Sequence, residues 1–99
     1  MTYQELQAAL AVFDLPKRLS LRQLKERHRQ LVRRYHPDSG GTPEPDRIRN
    51  INAAYRLLRD YCNEYQFDFS HREFLEQCPE ERLREQFAED SLWGGGQQR

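Results

Sequence analysis

From Leu31 to Gly41 the chain reads L-V-R-R-Y-H-P-D-S-G-G, a basic helical run that breaks at a histidine-proline-aspartate tripeptide. Proline disfavours the α conformation in the residue before it, so the helix is expected to end at Tyr35 or His36. Ser39, Gly40 and Gly41 predict a turn, in which the glycines take positive φ without steric cost. His36, Pro37 and Asp38 are thereby presented together on an exposed corner between two helices.

Upstream of the corner, Ser20-x-x-Gln23 has the form of a capping box, with Leu19 and Leu24 at the positions of a hydrophobic staple. The helix that follows places Leu21, Leu24, His28, Leu31 and Tyr35 on one stripe, with Val32 beside it. That arrangement pushes Arg22, Lys25 and Arg29 onto one exposed strip and leaves Arg33 and Arg34 nearest the corner. His28 reads as a residue packed at an inter-helix seam rather than a ligand or switch. Downstream, Thr42-Pro43-Glu44 predicts a helix start, with threonine capping, Pro43 tolerated in the first turn, glutamate matching the helix dipole and Pro45 early enough to be harmless. Ile48, Ile51, Tyr55, Leu58, Cys62 and Tyr65 then repeat at three- and four-residue intervals. Two long apolar edges of this kind predict antiparallel packing, with Ala54 permitting close approach.

The Y-H-P-D tetrapeptide after a Lys/Arg-rich helix, followed by I-x-x-I-N-x-A-Y-x-x-L from Ile48 to Leu58, resembles the J-domain family of DnaJ-like co-chaperones. The resemblance extends from about Tyr3 to Tyr61 and implies a helical hairpin whose corner docks on a DnaK-type (heat-shock protein 70 family) chaperone and stimulates its ATP hydrolysis. It implies partner-binding roles for His36, Pro37 and Asp38, with the basic residues Arg22, Lys25, Arg29, Arg33 and Arg34 supplying attraction to an acidic face. For Asn52 two readings stay open: a hydrogen bond toward the corner that holds its shape, or an exposed polar residue. The connection from Asp38 to Ile48 is short for the family.

The two ends of the chain complete an all-α expectation. Thr2-x-x-Glu5 is another capping box, and Leu6, Leu10 and Phe13 form a stripe with Ala9 and Val12 beside it, predicting a short N-terminal helix stopped by Asp14-Leu15-Pro16. Ser70-x-x-Glu73 is a third box, with Phe69 and Phe74 at staple positions, predicting a helix from His71 to about Gln77. Pro79 opens a further helix to about Phe87 or Ala88, with Leu83 and Phe87 on one face. The large apolar groups of this segment lead us to expect it to pack on the hairpin. The expected organisation is a hairpin domain over 1–66, a C-terminal helical extension over 67–93 and a frayed tail over 94–99.

Ninety-nine residues suit a single small domain, with apolar residues at 36% and charged residues at 32%. No run approaches the roughly 18 apolar residues that span a bilayer, and the N-terminus lacks a basic segment followed by an apolar one, so a cytoplasmic monomer is expected. Cys62 and Cys78 lack metal-ligand spacing even with His28, His36 and His71 considered, so neither metal nor cofactor is expected.

The net charge of zero conceals a segregation. Lys17 to Arg34 carries eight basic residues against Glu26 alone, a net of +7, and Asp60 to Asp90 carries ten acids against three arginines, a net of −7. A patch of one sign on a neutral chain points to steering of a charged partner. Nucleic acid is the rival partner for the basic helix, opposed by the near-neutral pI and by a proline corner where a helix-turn-helix would have a short turn. A structural J-like adaptor is the other alternative. An acid/base role for His36 and Asp38 would require a pocket and a third positioning group, neither of which the sequence offers, so the chain is not expected to be an enzyme. The family's Gly/Phe-rich, zinc-module and β-rich client-binding regions have no counterpart here; the acidic, aromatic C-terminal segment is expected to serve as a buttress or to dock a second protein.

Overall fold

The computed structural model describes the backbone of residues 1–36 and 44–94, and the side chains of that set as far as Glu89. Among the described residues the chain is all-α, with five helices: α1 (Tyr3–Phe13), α2 (Leu21–Tyr35), α3 (Pro45–Glu64), α4 (His71–Gln77) and α5 (Pro79–Gly94). They fall into two compact units, one spanning Met1–Tyr65 and the other beginning at Gln66.

In the first unit the sequence signals act as local chemistry. Thr2 Oγ1 accepts from the Glu5 amide at 3.1 Å while Glu5 Oε1 accepts from the Thr2 amide at 3.1 Å, so two amides that the helix leaves unpaired are satisfied reciprocally. The backbone bond from Thr2, and then its hydroxyl, hold the Glu5 carboxyl below its ordinary pKa. Ser20 and Gln23 repeat the device at 3.1 and 2.7 Å at the start of α2. Asp14 ends α1 in the left-handed conformation, φ 53°, and its amide closes onto the Ala11 carbonyl. Aspartate is among the few non-glycine residues that occupy this region readily.

The core consists of Ala9 and Phe13 from α1, Leu24 and Leu31 from α2, and Ile51, Ala54 and Leu58 from α3. Phe13 is fully buried and Ile51 is 2% exposed, each burial stabilising the fold by about 1.5–3 kcal/mol. The cross-contacts run in opposite order along α2 and α3, with His28 meeting Asn52 and Tyr55 and Tyr35 meeting Arg47, so the hairpin is antiparallel. Ala54 is buried as the close-approach reading requires.

Three expectations for this unit need correction. Leu21, at the first position of α2, is 41% exposed rather than part of the seam. Helix α3 starts at Pro45, with Glu44 as an N-cap whose side chain makes no capping hydrogen bond; the fixed φ of proline suits this first helical position. Thr42 and Pro43, the expected start, lie outside the described residues. Tyr65 terminates α3 in extended conformation and is 55% exposed, so the apolar edge ends at Cys62, which is half-buried.

In the second unit α4 has the expected bounds, but its capping box is half-formed. Ser70 Oγ accepts from the Glu73 amide at 3.2 Å, whereas the Ser70 amide donates to Asp68 Oδ1 at 2.9 Å, leaving Glu73 to accept from Gln77 at 2.9 Å. The amide of Ser70, and then its side chain, keep the Asp68 carboxyl below its ordinary pKa. The staple is absent: Phe69 is 92% exposed and its ring lies 6.3 Å from that of Phe67. Helix α5 continues past Ala88 to Gly94, since Glu89 to Trp93 contains no breaker and glycine is the first residue that favours an end. Side-chain contacts tie α4 to α5, with His71 Nε2 at 3.0 Å from both oxygens of Glu85 and Arg82 Nη2 in an ion pair at 2.7 Å from Glu76. None of residues 66–89 is buried. The side chain of Trp93 and the tail over 95–99 lie outside what is described.

Candidate functional site

The residues that could meet a partner are arranged by α2. At about 100° per residue, Arg22, Lys25, Arg29 and Arg33 occupy an arc of about 80° on the side opposite Leu24 and Leu31. All four are exposed, so the amphipathic pattern places a cationic strip along the whole length of the helix. Arg29 is partly committed within it: its guanidinium donates to Glu26 Oε1 at 2.6 and 3.2 Å, and that bond is the main cause of the lowered Glu26 pKa. Both side chains are at least half exposed, so the pair contributes little to stability.

Arg34 and Asn52 lie on different surfaces from that strip. Arg34 projects on the flank shared with Arg27, and its guanidinium sits 5.5 Å from the centre of the Tyr35 ring. Asn52, exposed on α3, pairs through Oδ1 with His28 Nε2 at 3.1 Å, so its hydrogen bond among the described residues goes to the seam two turns before the corner. His28 in turn stacks on Tyr55, ring centres 3.8 Å apart and planes within 1°. The seam reading of His28 therefore describes its surroundings, with a polar partner that periodicity alone did not disclose.

The corner is approached from both sides. His36 follows the last residue of α2 with φ −71° and ψ 142°, the extended geometry imposed on a residue that precedes proline, and it is exposed. Pro37 and Asp38 lie outside the described residues. Tyr35, one residue earlier, is gripped by the start of α3: Arg47 Nη1 donates to its hydroxyl at 2.9 Å and the Arg47 guanidinium lies 4.6 Å from the ring centre. Arg47 is also paired with Glu44 at 3.5 Å. The hydrogen bond and the cation–π contact thus link the two helix ends that flank His36. Reading Tyr35 only as a core residue missed this; a basic residue one turn into the next helix was the available signal.

Arg27 is the other residue whose role the charge count concealed. It belongs to the same basic run, yet its Nε donates to the Phe13 carbonyl at 3.0 Å, satisfying a group at the end of α1 that has no intrahelical partner. Among the described residues no group of three or more histidine, cysteine, aspartate or glutamate side chains could hold a metal ion, and no helix is long and apolar enough to cross a membrane.

Comparison with known proteins bears on the same region. The family model of the DnaJ domain matches residues 3–68. The chain is 38% identical over 50 residues to the chaperone protein DnaJ 2 of Aquifex aeolicus, a match covering 50% of this chain and 13% of that one. It is 34% identical over 62 residues to the chaperone protein DnaJ of Dictyoglomus thermophilum, covering 61% and 16%. It is 33% identical over 58 residues to the DnaJ homolog subfamily B member 9 of Mus musculus, covering 58% and 26%. The matches therefore span about a quarter or less of each of these relatives. No solved structure matches at a comparable level.

Proposed function

Because the chain belongs to the DnaJ domain family, we propose that it is a co-chaperone that engages a DnaK-type chaperone through the His36-Pro37-Asp38 corner and the cationic face of α2, and stimulates hydrolysis of the ATP bound there. The observation that carries this reading is the position of His36: exposed, extended, at the end of a helix with a cationic face, and flanked by two helix ends that Tyr35 and Arg47 hold together. Linking the two flanking helix ends before contact lowers the ordering cost at His36, which favours binding by preorganisation. The strip of Arg22, Lys25, Arg29 and Arg33 supplies attraction to an acidic surface, an effect that raises encounter rate more than final affinity.

Each residue then has a distinct task. His36 offers ring donors and apolar surface, Pro37 fixes the chain direction and Asp38 presents a carboxylate. Asn52 acts at one remove by fixing His28 against Tyr55. No bond is made or broken on this chain; its contribution is to favour a conformation of the partner in which hydrolysis is faster.

The test is single-turnover hydrolysis of ATP by a DnaK-type chaperone with and without this protein. Wild type is expected to accelerate the turnover, and His36→Gln to lose that acceleration while keeping its helical circular dichroism, since the side chain is exposed and outside α2. Lys25→Glu is expected to weaken stimulation most at low ionic strength, because exposed charges are screened beyond about 8 Å at physiological salt. Undiminished stimulation by His36→Gln would remove the corner from the mechanism.

A further inference from the structure

The second unit presents apolar side chains to solvent in an ordered way. At about 100° per residue, Leu83 and Phe87 lie about 40° apart on α5, while Glu85 lies some 160° or more from both. Glu85 is the residue that meets His71 of α4, so α5 turns a polar side toward its neighbour and its leucine-phenylalanine side away. Leu83 is 66% and Phe87 71% exposed, and no residue from 66 to 89 is buried. The helix pair is held by caps and by the His71–Glu85 and Arg82–Glu76 contacts, with no buried apolar side chain among its described residues. Large apolar side chains at this helical spacing are ordinarily buried in globular proteins.

The charge around the stripe says what kind of surface can cover it. Residues 66–90 carry eight acids against three arginines, a net of −5. Glu80 lies one turn before Leu83 and about 20° from Phe87 on the same wheel, so the stripe has a carboxylate at its border. Arg82 and Arg84 are each committed to a glutamate, Glu76 and Glu81. Nucleic acid and acidic peptides are disfavoured by this field, and basic ones are drawn to it.

We propose that the Leu83–Phe87 face of α5 is the docking surface for a cationic amphipathic helix of another protein, which lays its apolar residues on the stripe and its lysines and arginines against the acidic border. A second copy of this chain is the less suitable occupant. Its α2 has the right charge, but Leu21 is the only apolar residue among the exposed residues of that helix, so it cannot cover a leucine and a phenylalanine. A helix laid on this face supplies the burial that the unit lacks, and α4 and α5 become more resistant to opening when it is bound. None of the residues on this face belongs to the proposed chaperone contact, and the two readings are independent.

The test uses the full chain and a panel of three fluorescently labelled synthetic leucine/lysine helices of different length, each paired with a permuted peptide of the same composition in which the leucines share no face. Fluorescence anisotropy is expected to show saturable binding of at least one amphipathic member, at least about tenfold tighter than its permuted partner. Binding is expected to weaken at least about tenfold in the double variant Leu83→Gln, Phe87→Gln. Glutamine is a good helix former, and circular dichroism of that variant checks that α5 survives. Hydrogen exchange of α4 and α5 amides should slow in the complex and not in the variant. His36→Gln should bind the peptide like wild type. Equal binding of amphipathic and permuted peptides, unchanged binding by the double variant, failure of the whole panel, or sedimentation showing the free chain to self-associate through this face would each overturn the proposal.

Discussion

Replacing Arg27 with methionine separates the structural work of α2 from its surface charge. The guanidinium reaches the carbonyl of Phe13, the last residue of α1 and a fully buried one, at 3.0 Å. Methionine keeps much of the unbranched stem and has nearly the same helix propensity, so the variant removes the donor and the charge with little else altered. A hydrogen bond from a charged donor contributes about 1.5–3 kcal/mol when enclosed. Arg27 is half-buried and water can reach part of the site once the guanidinium is gone, so the expected loss is about 1–2 kcal/mol. For a domain of this size each kcal/mol corresponds to about 4–8 °C in Tm. Arg22→Met is the control, with the same change of charge at an exposed position and an expected effect within about 0.5 kcal/mol. Urea unfolding followed by far-ultraviolet circular dichroism should show a lower midpoint for Arg27→Met at unchanged slope, and little change for Arg22→Met. Equal midpoints for the two variants would refute the structural assignment of Arg27 and return it to the surface strip.

Other outcomes follow from the caps and the core. The Glu5 carboxyl has its pKa lowered in the fold by the Thr2 amide, so the stability it contributes is fully present above its ordinary value of 4.5 and is lost as pH falls through the lower folded value. Glu5→Gln keeps the capping geometry but cannot titrate, so the stability curves of the two proteins should converge or cross only below about pH 4.5 and run parallel above it; parallel curves throughout the acid limb would refute the linkage. Removal of residues 66–99 should leave a protein that still unfolds cooperatively, because every buried residue named in the core lies between Ala9 and Leu58. A gradual, non-cooperative melt of that fragment would show the second unit to be a required buttress.

The parts of this fold that were legible in the sequence are those set by interactions a few residues apart. Thr2 with Glu5 and Ser20 with Gln23 announce helix starts because both partners of the box lie within one turn, and Pro79 does so because its φ is fixed. The hairpin was legible because Leu24 and Leu31 on one helix and Ile51 and Leu58 on the other recur at the spacing of an apolar edge. Legibility failed where two local chemistries compete. The Ser70 amide had both Asp68 and Glu73 within reach, and the aspartate two residues before it won. It failed again for pairs distant in sequence: helical spacing puts Arg27 nearer the apolar face than Arg29 but does not say that the first reaches back to α1 while the second pairs with Glu26 in the adjacent turn. Tyr35 with Arg47 and His28 with Asn52 are of the same kind, specific contacts that periodicity locates to a seam without identifying.

That distinction matters for how α2 can act on a partner. Long-range steering depends on the net charge of a region, and Arg27 contributes to it although its guanidinium donates to Phe13 and Gln30. The Arg29–Glu26 pair contributes almost nothing at a distance, since its charges cancel within a few ångströms. Short-range docking depends instead on donors that can be turned toward a partner, and here the ranking inverts: Arg27 is held by α1, whereas Arg29 can exchange a weak, solvent-screened pair for a carboxylate on another protein at little cost. The +7 of the basic run therefore overstates the docking surface and correctly states the steering field. In the proposed chaperone contact Arg22, Lys25 and Arg33 would serve both purposes, Arg29 chiefly the second and Arg27 chiefly the first, so variants of equal charge change along one helix are expected to have unequal effects on stimulation.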